Sequence, residues 1–163
     1  MTTHLHHSNF HQHPAAQGRE SLDRTALLAT LHCLTGCAIG EVAGMVIGTA
    51  LGWSNGATIA LAIALAFAAG YALTMLPLLR SGLPPRTAAR LALAADTASI
   101  TIMEIVDNLV MLVIPGAMDA PLDSLLFWGS LAFSLAIAGV AAFPLNRWLI
   151  ARGRGHAVVH AHH

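Results

Sequence analysis

The segment HCLTGCAIGEVAGMVIG, residues 32–48, decides the fold of this chain. Glycine recurs in it at every fourth residue, and the series continues one turn further, giving Gly36, Gly40, Gly44, Gly48 and Gly52. On a helix this spacing forms a single stripe. In a soluble helix each glycine costs about 1 kcal/mol relative to alanine, but in a bilayer such a stripe allows a second helix to approach closely. The segment therefore predicts a transmembrane helix that packs through its glycines.

A second stripe beside the glycines carries groups that bind metal ions. Cys33, Cys37, Glu41 and Met45 also follow one another at four-residue intervals, and His32 precedes them by one residue. Thiol, thioether, imidazole and carboxyl groups are all metal ligands, and a spanning helix would normally carry leucine at such positions. This stripe is expected to lie against a neighbouring helix.

The composition is that of a membrane protein. Hydrophobic residues make up 56% of the 163 residues and charged residues 10%, and the mean hydropathy is +0.66. Four apolar stretches, 25–53, 57–79, 88–114 and 125–150, each approach or exceed the ~20 residues that span a bilayer. The chain is thus predicted to be an all-α, integral membrane four-helix bundle over residues 25–152. Residues 1–24 and 153–163 are predicted to be His-rich tails, the first of them disordered.

The third apolar stretch contains the other unusual cluster. Its polar and sulfur-containing residues fall within a helical arc of roughly 140°, so they share one face; they are Asp96, Met103, Glu104, Asp107, Asn108 and Met111. An ionised carboxylate at the bilayer centre costs at least ~2.5–3.5 kcal/mol, and no Lys or Arg lies in the middle of any predicted span. Two interpretations follow: a site for a cation, or protonated acids that bond the helices together.

Depth relates the two clusters. At a rise of 1.5 Å per residue, Cys33 and Asp96 each lie about 9 Å along their helices, and Glu41 and Glu104 each lie about 21 Å along. If the first and third helices touch, they form two layers. The shallow layer is predicted to contain His32, Cys33, Cys37 and Asp96, and the deep layer to contain Glu41, Met45, Glu104, Asp107, Asn108 and Met111.

A short internal repeat relates the two halves of the chain. Residues 77–80 read PLLR, and residues 144–147 read PLNR. Each segment closes an apolar stretch, and the first and third stretches align on Glu41 and Glu104. The chain can therefore be read as two helical hairpins in parallel orientation, an arrangement that transporters use around a central site.

The basic residues predict the orientation in the membrane. With four spans, all eight of them fall on the side that holds both termini: Arg19, Arg24, Arg80, Arg86, Arg90, Arg147, Arg152 and Arg154. The charged residues of the opposite loops are Asp119 and Asp123. Because cytoplasmic loops are enriched in Lys and Arg, both termini are predicted to be cytoplasmic.

Histidine is concentrated in the two tails. The residues are His4, His6, His7, His11, His13, His156, His160, His162 and His163. Such tracts are a compositional indication of metal binding. The alternative is a solvated tail whose histidines have no role.

Two motifs resemble a known family. LHCLTGC, residues 31–37, followed by Gly40 and Glu41, and MEIVDN, residues 103–108, are similar to motifs of small bacterial and archaeal four-helix membrane proteins. That family is known only as a domain of unknown function. The resemblance covers residues 25–152 and implies a four-helix membrane domain in a bacterial or archaeal plasma membrane. It supplies no activity.

The predicted function is to bind a transition-metal cation, with the capacity to transport it. Thiols and thioethers favour copper, while the imidazole and carboxyl groups also admit zinc, nickel or iron. One alternative is a non-catalytic subunit that docks into a larger complex through its glycine stripe. Another is a redox or haem-associated subunit with His32 as axial ligand.

Partners and catalysis are predicted from the same residues. The surroundings are the lipid bilayer, and a chain of four spans is expected to form a homo-oligomer or join a larger complex to enclose a path. The aromatic residues give no nucleic-acid signature. No nucleophile–base pair, phosphate loop or nucleotide fold is recognisable, so no enzymatic activity is expected.

Overall fold

Four helices make up the described chain. The computed structural model describes residues 14–152, with α1 at Pro14–Ala50, α2 at Asn55–Arg80, α3 at Pro85–Val113 and α4 at Leu125–Ala151. No strand occurs among these residues. The predicted all-α four-helix architecture is confirmed, and the helix ends agree with the predicted spans to within a few residues everywhere except at the start of α1.

The first helix begins earlier than predicted. Residues 14–24, expected to belong to a disordered tail, are the first turns of α1. Proline suits the first position of a helix because its φ is already helical and its missing N–H would have no partner there. An ion pair between Asp23 and Arg147 ties this part of α1 to α4. The nine tail histidines lie in residues 1–13 and 153–163, outside the described part of the chain.

Small residues fill the interior and large apolar residues cover the surface. Ala66, Ala138 and Cys37 are almost completely buried, whereas Val113 and Val140 are 79% and 74% exposed. This is the reverse of a soluble domain and is typical of helices that pack closely within lipid. In the described chain α1 (over Arg19–Ala50), α2 and α4 are long and apolar enough to cross a membrane. The third helix, predicted to span as well, has 29 residues but is not among these three, and its acidic side chains are buried in the interior.

Neighbouring helices run antiparallel, and α1 and α3 run parallel across the bundle. Gly36 packs against Gly70 and Gly48 against Thr58, which sets α1 and α2 in opposite directions. The thiol of Cys33 contacts Asp96, so α1 and α3 touch, as the depth argument assumed. The arrangement is that of two hairpins side by side, in agreement with the internal repeat.

The glycine stripe is the contact surface between α1 and α2. A Cβ placed on Gly36 would lie 2.7 Å from the Cα of Gly70, and one on Gly40 or Gly44 would overlap the backbone of α2. Tight packing through the stripe is confirmed for four of the five glycines. Gly52 was wrongly included, because it follows the end of α1 with φ of 66° and has open space around it.

Burial of the stripe bears on the docking alternative. Gly36, Gly40 and Gly44 are covered by α2 of the same chain. They are therefore not available as a surface for a partner protein. The docking face on which the packing-subunit interpretation relied is occupied.

Replacing Gly40 by leucine is expected to separate α1 from α2. Overpacking of a close contact costs about 1–3 kcal/mol, so the variant should unfold at lower denaturant concentration in mild detergent. The matched control is Gly129→Leu on α4, where a Cβ would meet nothing within 4 Å. Equal stability of the two variants would show that the close contact is not required.

Candidate functional site

Four acidic side chains lie inside the bundle. Glu41 is 3% exposed, Asp96 is fully buried, and Glu104 and Asp107 are each 4% exposed. No arginine in the described part of the chain is buried with them. Buried charges in proteins are normally paired or bound to a metal ion. Glu41, Glu104 and Asp107 therefore have no buried arginine to balance their charges if they ionise.

The shallow layer joins α1, α2 and α3. The thiol of Cys33 lies 3.7 Å from Asp96 Oδ1, to which it donates a long hydrogen bond. His32 Nε2 is 2.9 Å from the hydroxyl of Thr74 on α2, and that hydroxyl also interacts with the Asp96 carboxyl. A half-buried imidazole, a carboxyl group and a thiol thus meet around one threonine. The sequence argument placed His32, Cys33 and Asp96 together but did not include Thr74.

The deep layer brings together three carboxyl groups. Glu41 on α1 interacts with Asp107 and with Glu104, both on α3. No N–H or hydroxyl donor in the described residues bonds to either oxygen of Glu41 or Glu104 or to Oδ1 of Asp107, and the polar neighbours of these carboxyl groups include one another and the Cys37 thiol. Ordinary structural carboxyl groups inside a protein are hydrogen-bonded. These oxygens therefore require another explanation, such as a bound proton or cation.

Cys37 belongs to a different layer from the one predicted. It was assigned to the shallow layer, but its acidic neighbours are Glu104 first and Glu41 second. Cys37 lies one turn further along α1 than Cys33, so its thiol is farther from Asp96 and closer to Glu104, the next acid on α3. The two thiols therefore lie in separate layers, Cys33 beside Asp96 and Cys37 beside Glu104. Together with Glu41 they form a continuous row between α1 and α3.

A polar network on α4 was missed by the sequence argument. Asn146 Nδ2 donates hydrogen bonds to Thr30 Oγ1 at 2.9 Å and to Ser99 Oγ at 3.0 Å, so one amide joins α1, α3 and α4. Ser134 on α4 lies beside the Asp107 carboxyl. The signal was present as a buried stripe of small and polar residues at every fourth position: Ser130, Ser134, Ala138, Ala142 and Asn146. It was overlooked because none of these residues is charged.

The remaining predicted ligands have varied surroundings. Met103 and Met111 are buried, and Met103 packs in an apolar cluster with Ala66 and Ala138. Met45 is half-buried and lines a cavity of about 60 Å³ at the end of the bundle that carries the α1–α2 turn. Asn108 donates to the main-chain oxygen of Glu104 at 2.9 Å and is only half-buried. Met45 and Asn108 are thus peripheral to the cluster of carboxyl groups.

The geometry stops short of a formed metal centre. Among the residues that the structure describes, no three His, Cys, Asp or Glu side chains are arranged so that they could hold one metal ion. The groups instead occur as neighbours in a row, Cys33 with Asp96, Cys37 with Glu104, and Glu41 with Asp107. Each of these thiol and carboxyl groups can carry a proton, and its deprotonated form can bind a cation.

The chain belongs to the family described as Domain of unknown function (DUF4396), whose model matches residues 23–155. This agrees with the resemblance found in the two motifs, and the match includes both layers of the polar interior. No curated protein and no solved structure matches the chain. The description of the family names no activity, so the function is argued from the chemistry of the residues.

Proposed function

We propose that this membrane protein binds a soft transition-metal cation inside the bundle and passes it along the row of groups between α1 and α3. One observation carries the proposal: the carboxyl groups of Glu41, Glu104 and Asp107 are buried beside one another, and no buried arginine in the described chain balances them. Ionisable groups inside a membrane mark ion and substrate paths by default. Two buried thiols lie on the same row.

Copper(I) fits the donor atoms best. Thiolate and thioether ligands select it over harder cations, and the row supplies Cys33 and Cys37, with the thioether of Met103 in the same buried cluster. Met111 is a further buried thioether on α3. Residues four apart on a helix have Cβ atoms ~5–6 Å apart, so a single soft ion can reach both thiols after a change of side-chain rotamer. A two-thiolate site of this kind needs no preformed group of three ligands. Zinc, nickel and iron are second candidates through the carboxyl groups and His32.

Metal binding in such a site exchanges a cation for protons. Thiols and carboxyl groups bind metal in their deprotonated forms, so each binding step displaces protons. Carboxyl groups as close as those of Glu41 and Asp107 cannot all stay ionised in a medium of low dielectric. A cation among them relieves that repulsion, and protons replace it after it leaves. The proposed movement of metal is therefore coupled to movement of protons.

The rival explanation is that the carboxyl groups are protonated and hold the helices together. A proton shared between Glu41 and Asp107 would achieve this. For Glu104 it leaves only the Cys37 thiol, a weak donor, and Asp107 as partners in the described chain. It also does not explain why two thiols lie on the same row.

For the membrane we propose a bacterial or archaeal plasma membrane with both termini in the cytoplasm. The arginines lie at one end of the bundle, where Arg147 pairs with Asp23 and Arg152 stacks 4.2 Å from the ring centre of Trp148. Trp53 and Trp128 are about half-exposed at the other end. Tryptophans at both ends and arginines at one are typical of a bundle that spans a bilayer. Assembly into a homo-oligomer or a larger complex remains a prediction.

The proposed topology predicts the result of reporter fusions. A fusion after Arg154 should report a cytoplasmic location, and a fusion within residues 117–123 should report an external one. The reason is the retention of arginine-rich segments on the cytoplasmic side. A cytoplasmic signal from residues 117–123 would show that α3 does not cross the membrane.

The proposal itself is tested by the metal content of the purified protein. Metal binding by the tails must first be removed, because their nine histidines can bind metal by themselves. A full-length chain with these histidines replaced by alanine is expected to retain bound metal after purification in mild detergent. Loss of all metal on this replacement would show that only the tails bind it.

A further inference from the structure

A small, largely enclosed cavity lies at the end of the bundle that carries the α1–α2 turn, which is external in the proposed topology. This outer cavity has a volume of about 60 Å³ and is bounded by the end of α1, the start of α2, the α3–α4 connection and the start of α4. A water molecule occupies about 30 Å³ in the liquid, and sites for organic ligands usually measure about 300–1,000 Å³. The outer cavity therefore has room for a metal ion or about two water molecules, but not for an organic ligand.

Two thioether side chains line the outer cavity from different elements. Met45 belongs to α1, and Met118 belongs to the connection between α3 and α4. Both are half-buried. Thioethers are soft ligands that favour Cu(I). Met118 was not among the predicted ligands, because it lies beyond the end of the third apolar stretch.

The other walls of the outer cavity are partly polar. Thr49, Thr58 and Asn55 contribute to them. Methionine often does no more than fill gaps in an apolar core, and cavities that stay empty are apolar. Walls that combine hydroxyl and amide side chains with two thioethers instead suit a cavity that holds water or an ion.

Two hydrogen bonds hold the α3–α4 connection in place beside the outer cavity. Asn55 Nδ2 donates to Asp119 Oδ1 at 2.9 Å, and Trp128 Nε1 donates to the main-chain oxygen of Leu122 at 2.8 Å. Asp119 directly follows Met118. The segment that carries the Met118 thioether is therefore tied to the start of α2, which also lines the cavity.

The charge at this end of the bundle favours a cation. The α1–α2 turn and the α3–α4 connection contain Asp119 and Asp123 and no Lys or Arg. Asp119 is exposed next to Met118. A surface that carries one sign of charge raises the local concentration of ions of the opposite sign. Cations are therefore expected to be concentrated near the outer cavity.

The outer cavity adjoins the row of groups between α1 and α3. Met45 lies one turn beyond Glu41 on α1, and the carboxyl group of Glu41 contacts Asp107. Residues four apart on a helix have Cβ atoms ~5–6 Å apart. An ion held by Met45 is therefore one helical turn from the carboxyl groups.

We propose that the outer cavity is a second metal site, in which the thioethers of Met45 and Met118 hold Cu(I) at the external end of the row. This inference rests on the proposed metal function and adds to it a site with a different kind of ligand. Thioethers carry no proton to displace, so binding here does not depend on pH, in contrast with binding to thiols and carboxyl groups. Because the site supplies no thiolate, it holds the ion less tightly than the row and loses it during purification.

Titration of the purified full-length protein with silver(I) tests this inference. Silver(I) stands in for Cu(I), because both are soft monovalent cations and silver(I) is not oxidised by air. The chain carries alanine at the nine tail histidines and serine at Cys33 and Cys37, so that neither the tails nor the thiols compete for the ion. Saturable binding is expected by equilibrium dialysis. Met45→Leu and Met118→Leu should each raise the dissociation constant by at least about tenfold, since even residues that only support a metal ligand contribute that much.

Met75→Leu is the matched control. Met75 is half-buried on α2, near the opposite end of the bundle. Leucine is close to methionine in volume, so all three substitutions should preserve the fold, and Met75→Leu should leave the dissociation constant unchanged.

A second readout applies to the chain with both cysteines intact. Trp53 lines the outer cavity, so bound silver(I) should quench its fluorescence. The quenching is the part of the signal that Trp53→Phe removes, and Met118→Leu should reduce it at a given concentration of silver(I). This measurement decides the question if the serine variant does not fold.

Two results would overturn the inference. The first is binding and quenching that Met45→Leu and Met118→Leu weaken no more than Met75→Leu does. The second is a dissociation constant that rises as the pH falls, because the ion would then be bound by groups that titrate. The metal retained through purification separates this failure from failure of the metal proposal. If the chain with intact cysteines retains metal but the thioethers do not affect the titration, the outer site alone is wrong.

Discussion

Replacing Glu41 by glutamine is expected to leave the bundle folded and to remove its handling of metal. Glutamine keeps the shape and hydrogen-bonding capacity of the side chain, and its helix propensity is close to that of glutamate. Glu41 is 3% exposed and its carboxyl group contacts Asp107, and the glutamine amide is able to donate a hydrogen bond to that carboxyl group. The free energy of unfolding should therefore be unchanged or higher.

The expected loss is in the affinity for the cation. Mutation of residues that merely support a metal ligand lowers the affinity for the metal roughly tenfold to a hundredfold. Loss of a carboxyl group that belongs to the row should lower the affinity at least as much. Glu104→Gln is expected to have the same effect, because it removes the carboxyl group beside Cys37. The measurement is metal uptake by cells that express each variant, together with metal tolerance across pH.

The matched control is Glu20→Gln. Glu20 lies on the same helix as Glu41 but is exposed, so the substitution removes one negative charge without touching the interior. It should behave as the unmodified protein. If Glu41→Gln and Glu104→Gln also behave as the unmodified protein, the carboxyl groups are structural and the transport proposal is wrong.

The sequence predicted most of the fold because its signals are local and repeated. The lengths of the apolar stretches predicted four helices, and the four-residue spacing of the glycines predicted a close contact with another helix, which in the structure is α2. Counting residues from the predicted starts of the helices placed Cys33 opposite Asp96, and their contact confirms that register. The start of α1 was missed because residues 14–24 are polar, and hydropathy does not distinguish a polar helix from a polar tail.

The layers of the site were harder to predict, because they depend on how two helices face each other. Counting residues gives depth, but it does not give the direction of a side chain around the helix axis. Cys37 was therefore assigned to the layer of Asp96, although it faces Glu104. Asn108 lies on the correct face of α3 but at its edge, where it lines a groove between α2 and α3.

Uncharged polar residues were the main omission. Asn146 joins three helices through Thr30 and Ser99, and Thr74 joins His32 to the shallow layer. Single serine, threonine and asparagine residues are common in membrane helices, so a sequence does not by itself show which of them are buried together. Their spacing at every fourth residue on α4 is the signal that would have indicated it.

Replacing Cys33 and Cys37 together by serine is expected to remove the bound metal ion while the fold is preserved. These are the two cysteines of the chain, and both are buried as free thiols. A serine hydroxyl is able to donate a hydrogen bond to Asp96 or Glu104, so the interior keeps its polar contacts. It does not supply the thiolate that a soft cation requires.

A matched control adds a hydroxyl group to α1 without removing a thiol. Ala38 is half-buried next to Cys37, and Ala38→Ser introduces the same group as the double substitution. This control should retain metal. Circular dichroism and the denaturant midpoint should agree among the control, the double variant and the unmodified protein.

The most direct measurement is the ratio of metal to protein, by elemental analysis, in the full-length chain whose nine tail histidines are replaced by alanine. With Cys33 and Cys37 intact, the metal ion is expected to remain bound through purification in mild detergent. With both cysteines replaced by serine, the ratio should fall to the background of a metal-free membrane protein. Loss of all metal on replacing the tail histidines, with no loss on replacing the two cysteines in the otherwise unmodified chain, would contradict a metal site inside the bundle.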